Sequence, residues 1–404
     1  MTLKVVMAGA CPYPVPQGSQ VFMGETADCL AGLGNDVRLV VYGYGVAAEN
    51  GTVRLPKPEG KTLMRAACPP FAGLPTAPGP HWGKPLHDAS LLWTLRREAR
   101  DADVVCAHNY EALIAALLSG RRPVVYFAHN AMADELPYYC AQPETARRAA
   151  RLGRWFDNNF PRRAARIIVP HRRLAGYLVL RGCDPGHVAV VPPPIDHTPF
   201  DAAVQADASV VLPPVLYAGN LDAYQNLPLL TAVMERVRTV KPEARLAVAS
   251  VKPPELPGAE HLPAPDFDDV RRALLEDVIV AVPRVSWSGY PIKMLNAMAA
   301  GRPVVSCASA AWPITDGVNG LVVPDNDAEA FAAAVLRLMD TPRLRRELGR
   351  AARETILREN APHLVARQIE RVIAEAMEES GRGAVQPPPV SSSSGAGGTS
   401  SMTL

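Results

Sequence analysis

Residues 284–305 read RVSWSGYPIKMLNAMAAGRPVV, and this stretch decides the fold. The apolar run at 278–282 comes before it and is typical of a buried strand. Pro291 stands where a helix would begin, and Gly301 stands where that helix would end. Proline in the first helical turn and glycine just past the last turn are the expected asymmetry. The stretch therefore predicts a strand, a polar turn and a helix, followed by a second strand that starts at 302–305.

The start of this predicted helix is suited to an anion. The first N–H groups of a helix have no partner within it, and the helix dipole places partial positive charge there. Lys293 lies in the first turn and adds a full positive charge. The chemistry of this turn therefore favours an anionic group such as a diphosphate.

The rest of the chain repeats the same unit. Apolar runs predict a first set of strands at 4–8, 36–42, 104–107, 124–128 and 166–169, and a second set at 215–218, 245–250, 278–282, 304–307 and 321–323. Helix-like segments separate most of these strands, so we predict two parallel sheets covered by helices. Ligands of such sheets bind at the carboxyl ends of the strands.

The stretch at 284–305 resembles the donor-binding motif of retaining glycosyltransferases of the GT-B fold, family 4 type. That motif reads Glu-Gly-Phe-Pro, then four residues, then Glu-Ala-Met-Ala-x-Gly-x-Pro-Val-Val. The positions that fit are Gly289, Tyr290, Pro291, Ala297, Met298, Ala299, Gly301, Pro303, Val304 and Val305. Ser288 and Asn296 stand where the family has its two glutamates, so the chain resembles an atypical subgroup.

The resemblance implies an α/β protein with two Rossmann-like domains whose parallel sheets face each other across a cleft. The expected divisions are an N-terminal acceptor-side domain at 1–192, a linker at 193–200, a C-terminal nucleotide-sugar domain at 201–360, a helix at 361–380 that packs back toward the first domain, and a disordered tail at 381–404. Three consecutive prolines at 192–194 mark the start of the linker, and the tail is rich in Pro, Ser and Gly.

The resemblance also assigns a donor site. Its expected residues are Gly18, Gly219, Asn220, Gln225, Ser288, Gly289, Tyr290, Pro291, Ile292 and Asn296. Asn296 is expected to bind a ribose hydroxyl. Gly18 follows the first strand, where glycine lets the backbone approach a ligand; an ordinary tight turn is the alternative.

Two cations of the family motif are missing. The family has Arg and Lys at the positions of Asn220 and Gln225, and both neutralise the donor diphosphate. Asn and Gln donate hydrogen bonds but carry no charge. We expect Lys293 to replace them as the catalytic cation; a solvated helix residue is the alternative.

His129 follows the strand at 124–128, at the edge of the sheet where the cleft is expected. The family has a histidine after the corresponding strand, facing the donor sugar and the acceptor. We therefore predict that His129 binds the sugar and orients the leaving group. His108 occupies a similar place after 104–107, and we prefer His129 of the two.

Composition excludes several classes. The net charge of +2 is too balanced for a nucleic-acid partner. Seven dispersed cysteines predict reduced thiols, and their spacing is not that of a metal site. The first residues do not have the pattern of a signal peptide. We expect a cytoplasmic protein with no cofactor and no bound metal.

A basic segment allows one further partner. Arg147, Arg148, Arg151 and Arg154 alternate with Leu152, Trp155 and Phe156, and Arg162 and Arg163 follow. Such a helix either rests on an anionic membrane, at the inner membrane face, or packs its apolar side into the core. We favour packing in the core.

These features predict a retaining, hexosyltransferase-like enzyme. It would move a sugar from a nucleotide diphosphate donor to a glycan, a lipid-linked acceptor or a small molecule. A catalytically weak nucleotide-sugar-binding protein is one alternative. A GT-B sugar epimerase is another, and it would need carboxylates in the cleft, which positions 288 and 296 lack.

Overall fold

Two parallel β-sheets form the framework of the described chain. The computed structural model describes residues 2–15, 18–44, 61–69, 81–121, 123–205 and 212–385. The strands of the first sheet are β1 Lys4–Gly9, β2 Asp36–Val41, β3 Lys61–Arg65, β4 Val104–His108, β5 Val124–Phe127, β6 Arg166–Val169 and β7 Val188–Val190. Those of the second are β8 Val215–Ala218, β9 Leu246–Ser250, β10 Ala259–Pro263, β11 Ile279–Val282, β12 Val304–Cys307 and β13 Leu321–Val323.

Helices connect these strands in the order that the sequence predicts. They are α1 Gly18–Gly32, α2 Lys84–Glu98, α3 Tyr110–Ser119, α4 Met132–Glu135, α5 Pro143–Asn159, α6 Arg172–Leu180, α7 Leu227–Val240, α8 Phe267–Leu275, α9 Ile292–Ala299, α10 Ala328–Asp340, α11 Pro342–Glu359 and α12 Pro362–Val385. The strand orders are β3-β2-β1-β4-β5-β6-β7 and β10-β9-β8-β11-β12-β13, and every pair is parallel. The prediction of two parallel sheets covered by helices is confirmed.

The central strands are buried along nearly their whole length. In β4 and β11 every residue is buried, which explains their unbroken apolar runs. Three strands that the sequence analysis did not predict, β3, β7 and β10, all lie at sheet edges. The last two are only partly buried, so their sequences carry no continuous apolar signal.

The C-terminal helix α12 joins the two domains. It packs against α1 and β6 of the first domain, and Asn35 Nδ2 donates to Glu370 Oε1 over 2.6 Å. The linker is tied to the turn between α11 and this helix, because Asn360 Nδ2 donates to the Pro193 carbonyl over 2.8 Å. The helix continues past the tail boundary predicted at 381, and residues 386–404 lie outside the described residues.

Close backbone packing sets the position of α9, the helix that the opening stretch predicts. Helix α11 lies against the turn after α9, and a Cβ atom added to Gly349 would lie 2.0 Å from the Gly301 carbonyl oxygen. Gly301 itself has φ +66°, which favours glycine. Only a glycine at 349 lets the two segments approach this closely.

We predict opposite effects for two helical Gly→Ala substitutions. Gly349→Ala should lower the free energy of unfolding by about 1–3 kcal/mol, since overpacking forces the backbone apart. Gly176→Ala in α6 meets nothing within 4 Å. It should raise stability by roughly 0.5–1 kcal/mol through helix propensity. Urea and thermal midpoints measure both changes, and equal shifts in one direction would contradict the packing argument.

Candidate active site

A cavity of about 140 Å³ lies between the two domains, and side chains from both line it. Five of the predicted donor residues are in its wall, together with His129: Gly18, Ser288, Gly289, Tyr290 and Ile292. The carboxyl ends of the two sheets thus supply the wall, as the fold type requires. The other five predicted donor residues do not line the cavity: Gly219, Asn220, Gln225, Pro291 and Asn296. Lys293 does not line it either, and Pro291 is the N-cap of α9.

Two helix starts converge on this cavity. Gly18 begins α1, and a Cβ atom placed on it would lie 3.6 Å from Ile292 Cγ1 at the start of α9. The N-terminal ends of helices carry partial positive charge and unpaired N–H groups. The cavity wall therefore favours an anion from both sides.

His129 presents one ring nitrogen to the cavity. Its Nε2 lies 3.0 Å from Nδ1 of the buried His108, so the two histidines form a pair rather than competing candidates. Phe127 stacks on the His108 ring at 4.3 Å. Burial lowers the pKa of His129 to about 3, so this ring is neutral near pH 7. It can exchange a hydrogen bond with a ligand but contributes no charge.

Lys293 does not reach the cavity. Its ammonium donates to Tyr217 OH over 2.7 Å and to Gln225 Oε1 over 2.8 Å. Burial, and then the charge of Arg284, lower its pKa well below the ordinary value, against the opposing effect of Asp222. These two hydrogen bonds use two of the three donors of the ammonium, and no contact of Lys293 with the cavity is seen, so its role toward a diphosphate stays a prediction.

The side chains of Asn220 and Gln225 bind each other, and Gln225 also binds Lys293; neither lines the cavity. Gln225 Nε2 donates to Asn220 Oδ1 over 2.5 Å, and Asn220 Nδ2 donates to Asp222 Oδ2 over 2.7 Å. Gly219 has φ +134°, and a Cβ atom there would lie 3.0 Å from Lys293 Nζ. This loop therefore closes around the ammonium.

The cation in the cavity wall is Arg284, which the sequence analysis did not single out. Its guanidinium lies 5.0 Å from the centre of the Tyr224 ring, and Nη2 donates to Ser286 Oγ over 3.1 Å. Its Nε has no hydrogen-bond partner, and Arg284 forms no ion pair within the described chain. Burial lowers the pKa of this group, which still remains a guanidinium of high basicity.

Gly289 makes room for this arginine. A Cβ atom at position 289 would lie 2.3 Å from Arg284 Nη2. A signal for Arg284 was present in the sequence, since the residue directly follows Pro283 at the carboxyl end of a buried strand. Charged side chains at that edge of a parallel sheet commonly face the ligand cleft.

Carboxylates also line the cavity, from positions other than 288 and 296. Glu135 accepts a hydrogen bond from Tyr139 OH over 2.7 Å, and burial raises the pKa of its carboxyl group. Asp222 lies on the opposite wall, and burial raises its pKa as well. Positions 288 and 296 lack carboxylates as the sequence shows, but Glu135 and Asp222 bring two to the cavity, so that absence does not by itself argue against an epimerase.

The two domains touch directly beside the cavity. His171 of the first domain donates from Nε2 to the Ser288 carbonyl over 3.0 Å. Its ring stacks on Trp312 with a centroid distance of 5.1 Å. The His171 Nδ1 atom accepts from the Leu174 N–H and caps α6, which assigns the Nε2–H tautomer.

Helix α5 differs from our expectation of a helix whose apolar side is packed in the core. Leu152 is 51% exposed and Trp155 is 52% exposed, and Arg151 and Arg154 beside them are exposed as well. The face of α5 that meets the protein carries Gly153 and Asp157 instead. In the described part of the chain no helix is long and apolar enough to cross a membrane.

Within the described ranges, no group of three His, Cys, Asp or Glu side chains could hold a metal ion. Independence from metal stays a prediction.

Comparisons with known proteins cover both domains. Residues 16–198 match the family model described as Glycosyltransferase Family 4, and residues 213–341 match Glycosyl transferases group 1. The D-inositol 3-phosphate glycosyltransferase of Kribbella flavida is 28% identical over 374 residues, which is 83% of this chain and 86% of that protein.

Solved structures show the same fold. Sucrose-phosphate synthase from Thermosynechococcus elongatus superposes with a TM-score of 0.74 at 16% identity, over 93% of this chain and 99% of that one. Anabaena HepE in complex with UDP-glucose gives 0.68 at 14% identity, over 92% and 99% of the two chains. At these identities the likeness shows the fold alone, and the expected arrangement of two Rossmann-like domains is confirmed.

Proposed function

The chain belongs to the family 4 type of GT-B glycosyltransferases, and from this premise we propose that it moves a hexose from a nucleotide diphosphate donor to a hydroxyl group with retention of configuration. The acceptor would be a glycan, a lipid-linked sugar or a small molecule. HepE, a structural neighbour, is described with UDP-glucose bound, which supports a donor of this class.

The observation that carries this proposal is the position of Arg284. This guanidinium lines the cavity near the start of α9 and forms no ion pair with the described residues, although the charges of Asp134 and Glu135 act on it. Arginine matches phosphate geometry with two parallel hydrogen bonds. As the bond between sugar and diphosphate breaks, negative charge grows on the leaving group, and a cation already in place stabilises that charge.

His129 would act from the other wall. Because its ring is neutral and its Nε2 is engaged with His108, the remaining nitrogen Nδ1 is available for a hydrogen bond to the sugar or the leaving group. Such a contact positions the reacting atoms without adding charge. Glu135 lies on the same wall and can accept a hydrogen bond from a hydroxyl group of donor or acceptor.

We predict that the protein releases a nucleoside diphosphate from one or more members of a nucleotide-sugar panel. The panel would comprise UDP, GDP, ADP and TDP sugars, each assayed with simple glycan and polyol acceptors. The product should keep the anomeric configuration of the donor, as read by NMR, and activity should persist in EDTA. Neither binding nor turnover with any donor at millimolar concentration would overturn the proposal.

We predict that Arg284→Met weakens nucleoside diphosphate binding by roughly tenfold to a hundredfold. This range corresponds to about 1.5–3 kcal/mol for a hydrogen bond to a charged group. Binding of the nucleoside alone should change little, and isothermal titration calorimetry measures both. Arg173→Met is the matched control, because Arg173 stacks on Trp287 near the cleft but does not line the cavity.

Lys293→Met separates the two candidate cations. If Lys293 only holds the loop at 219–225, its loss should lower the melting temperature and cost less binding than Arg284→Met. A loss of diphosphate binding equal to that of Arg284→Met would instead assign the phosphate contact to Lys293.

We also propose that α5 rests on an anionic membrane surface, which would place acceptor lipids near the first domain. Exposed Leu152 and Trp155 can insert into the membrane surface, and the arginines beside them are attracted to anionic lipids.

The protein should sediment with phosphatidylglycerol vesicles and not with phosphatidylcholine vesicles. The double variant Leu152→Ser, Trp155→Ser should lose about tenfold in vesicle binding, whereas Val240→Ser on the other domain should lose none. Equal binding by both variants would refute this surface.

A further inference from the structure

A carboxylate of the first domain reaches across the cleft to the turn before α9. Asp134, in α4, accepts three hydrogen bonds on one oxygen, Oδ2. The donors are Ser286 Oγ at 3.0 Å, the Ser288 N–H at 3.1 Å and Ser288 Oγ at 2.7 Å. The other oxygen, Oδ1, makes no hydrogen bond with any described residue.

The carboxylate is held on a rigid support. Helix α4 is capped by Asp157, whose two oxygens accept from the Met132 and Ala133 N–H groups at 3.0 Å. Helix α5 packs so closely on α4 that a Cβ atom on Gly153 would lie 2.3 Å from the Met132 carbonyl oxygen. Asp134 is therefore placed in advance of any ligand, as a binding group should be.

The distribution of hydrogen bonds on Asp134 is uneven. An ionised carboxylate has about four lone-pair positions, shared between two oxygens. Here one oxygen carries three donors and the other carries none, although Ser286 and Ser288 are both in the cavity wall. Acceptor capacity is thus left on a carboxylate that binds two residues of the cavity wall, although Asp134 does not itself line the cavity.

We propose that Asp134 binds a hydroxyl group of the donor sugar through Oδ1 while Oδ2 holds Ser286 and Ser288. This inference rests on the proposed function. Position 288, where the resemblance implies a glutamate, is a serine, and Asp134 brings a carboxylate to that serine from the opposite domain. One side chain thereby serves both sugar recognition and closure of the cleft.

A purely structural role makes a different prediction. If Asp134 only holds the domains together, its loss weakens the binding of a nucleoside diphosphate and of the corresponding nucleotide sugar by the same factor. If Oδ1 also contacts the sugar, the loss of affinity is larger for the nucleotide sugar than for the nucleoside diphosphate. The ratio of the two dissociation constants therefore distinguishes the roles.

The experiment uses the best donor from the panel, or UDP-glucose, together with its nucleoside diphosphate. Asp134→Ala should weaken binding of the nucleotide sugar by roughly tenfold to a hundredfold more than binding of the nucleoside diphosphate, the range expected for a hydrogen bond to a charged group. Asp134→Asn, which keeps the shape of the side chain, should change the ratio in the same direction. Ser286→Ala is the matched control for closure, because it removes one hydrogen bond to Oδ2 and keeps the carboxylate; its ratio should stay within twofold of wild type.

A relocation variant tests the assignment from the other side. Asp134→Ser combined with Ser288→Glu moves the carboxylate to the second domain, and it should recover at least part of the lost ratio. Equal loss of both ligands in Asp134→Ala and Asp134→Asn overturns the sugar contact while leaving the proposed function intact. Failure of the wild-type protein to bind either ligand overturns the proposed function and this inference together.

Discussion

Lys293 of α9 buries its ammonium against the loop after β8, and this contact constrains the second domain. A buried charge is costly unless hydrogen bonds replace water, and here Tyr217 OH and Gln225 Oε1 do so. Tyr217 OH donates a hydrogen bond to the Asn220 carbonyl over 2.5 Å, so the loop after β8 is tied to α9. The face of the Tyr217 ring, 4.2 Å from Nζ, and the charge of Asp222 add to the stabilisation of the ammonium.

The same constraint explains why positions 220 and 225 carry no charge. A second cation within 3–4 Å of a buried ammonium would repel it strongly, since the interior screens charge poorly. Gln225 offers its carbonyl oxygen to Lys293 and its amide to Asn220, an arrangement that Lys or Arg cannot make because they lack an acceptor. The loss of two motif cations and the gain of Lys293 are therefore one change in physical terms. Arg284 then supplies positive charge at the cavity wall from a different element.

How much of this the sequence could predict depends on the range of the interaction. The strands with unbroken apolar runs and the proline and glycine that bound α9 are local signals, and they were sufficient for the fold. The edge strand β10 was missed because half-exposed strands share no such run. Side chains that meet across the cleft were also missed. Asp134 and Ser288 are separated by 154 positions, and no pattern within either segment encodes their contact.

The balance of contacts between the domains indicates where the molecule opens. A cavity of about 140 Å³ is smaller than the roughly 300–1,000 Å³ typical of small-molecule sites, so the cleft must open to admit a nucleotide sugar before the contacts of Asp134 form again. Beside the cavity the domains are joined by polar contacts and by the packing of Phe22 near Ile292. The hydrogen bonds to Asp134 are worth about 1.5–3 kcal/mol each and that of His171 about 0.5–1.5 kcal/mol. At the far side, Ile195 and Phe200 of the linker segment belong to one hydrophobic core with α12. Breaking that core would expose several fully buried side chains, at about 1.5–3 kcal/mol for each. Separation at the cleft breaks hydrogen bonds that water can replace and keeps the apolar packing of the linker with α12. This motion exposes the donor turn at 286–289 while leaving the frame that positions it undisturbed.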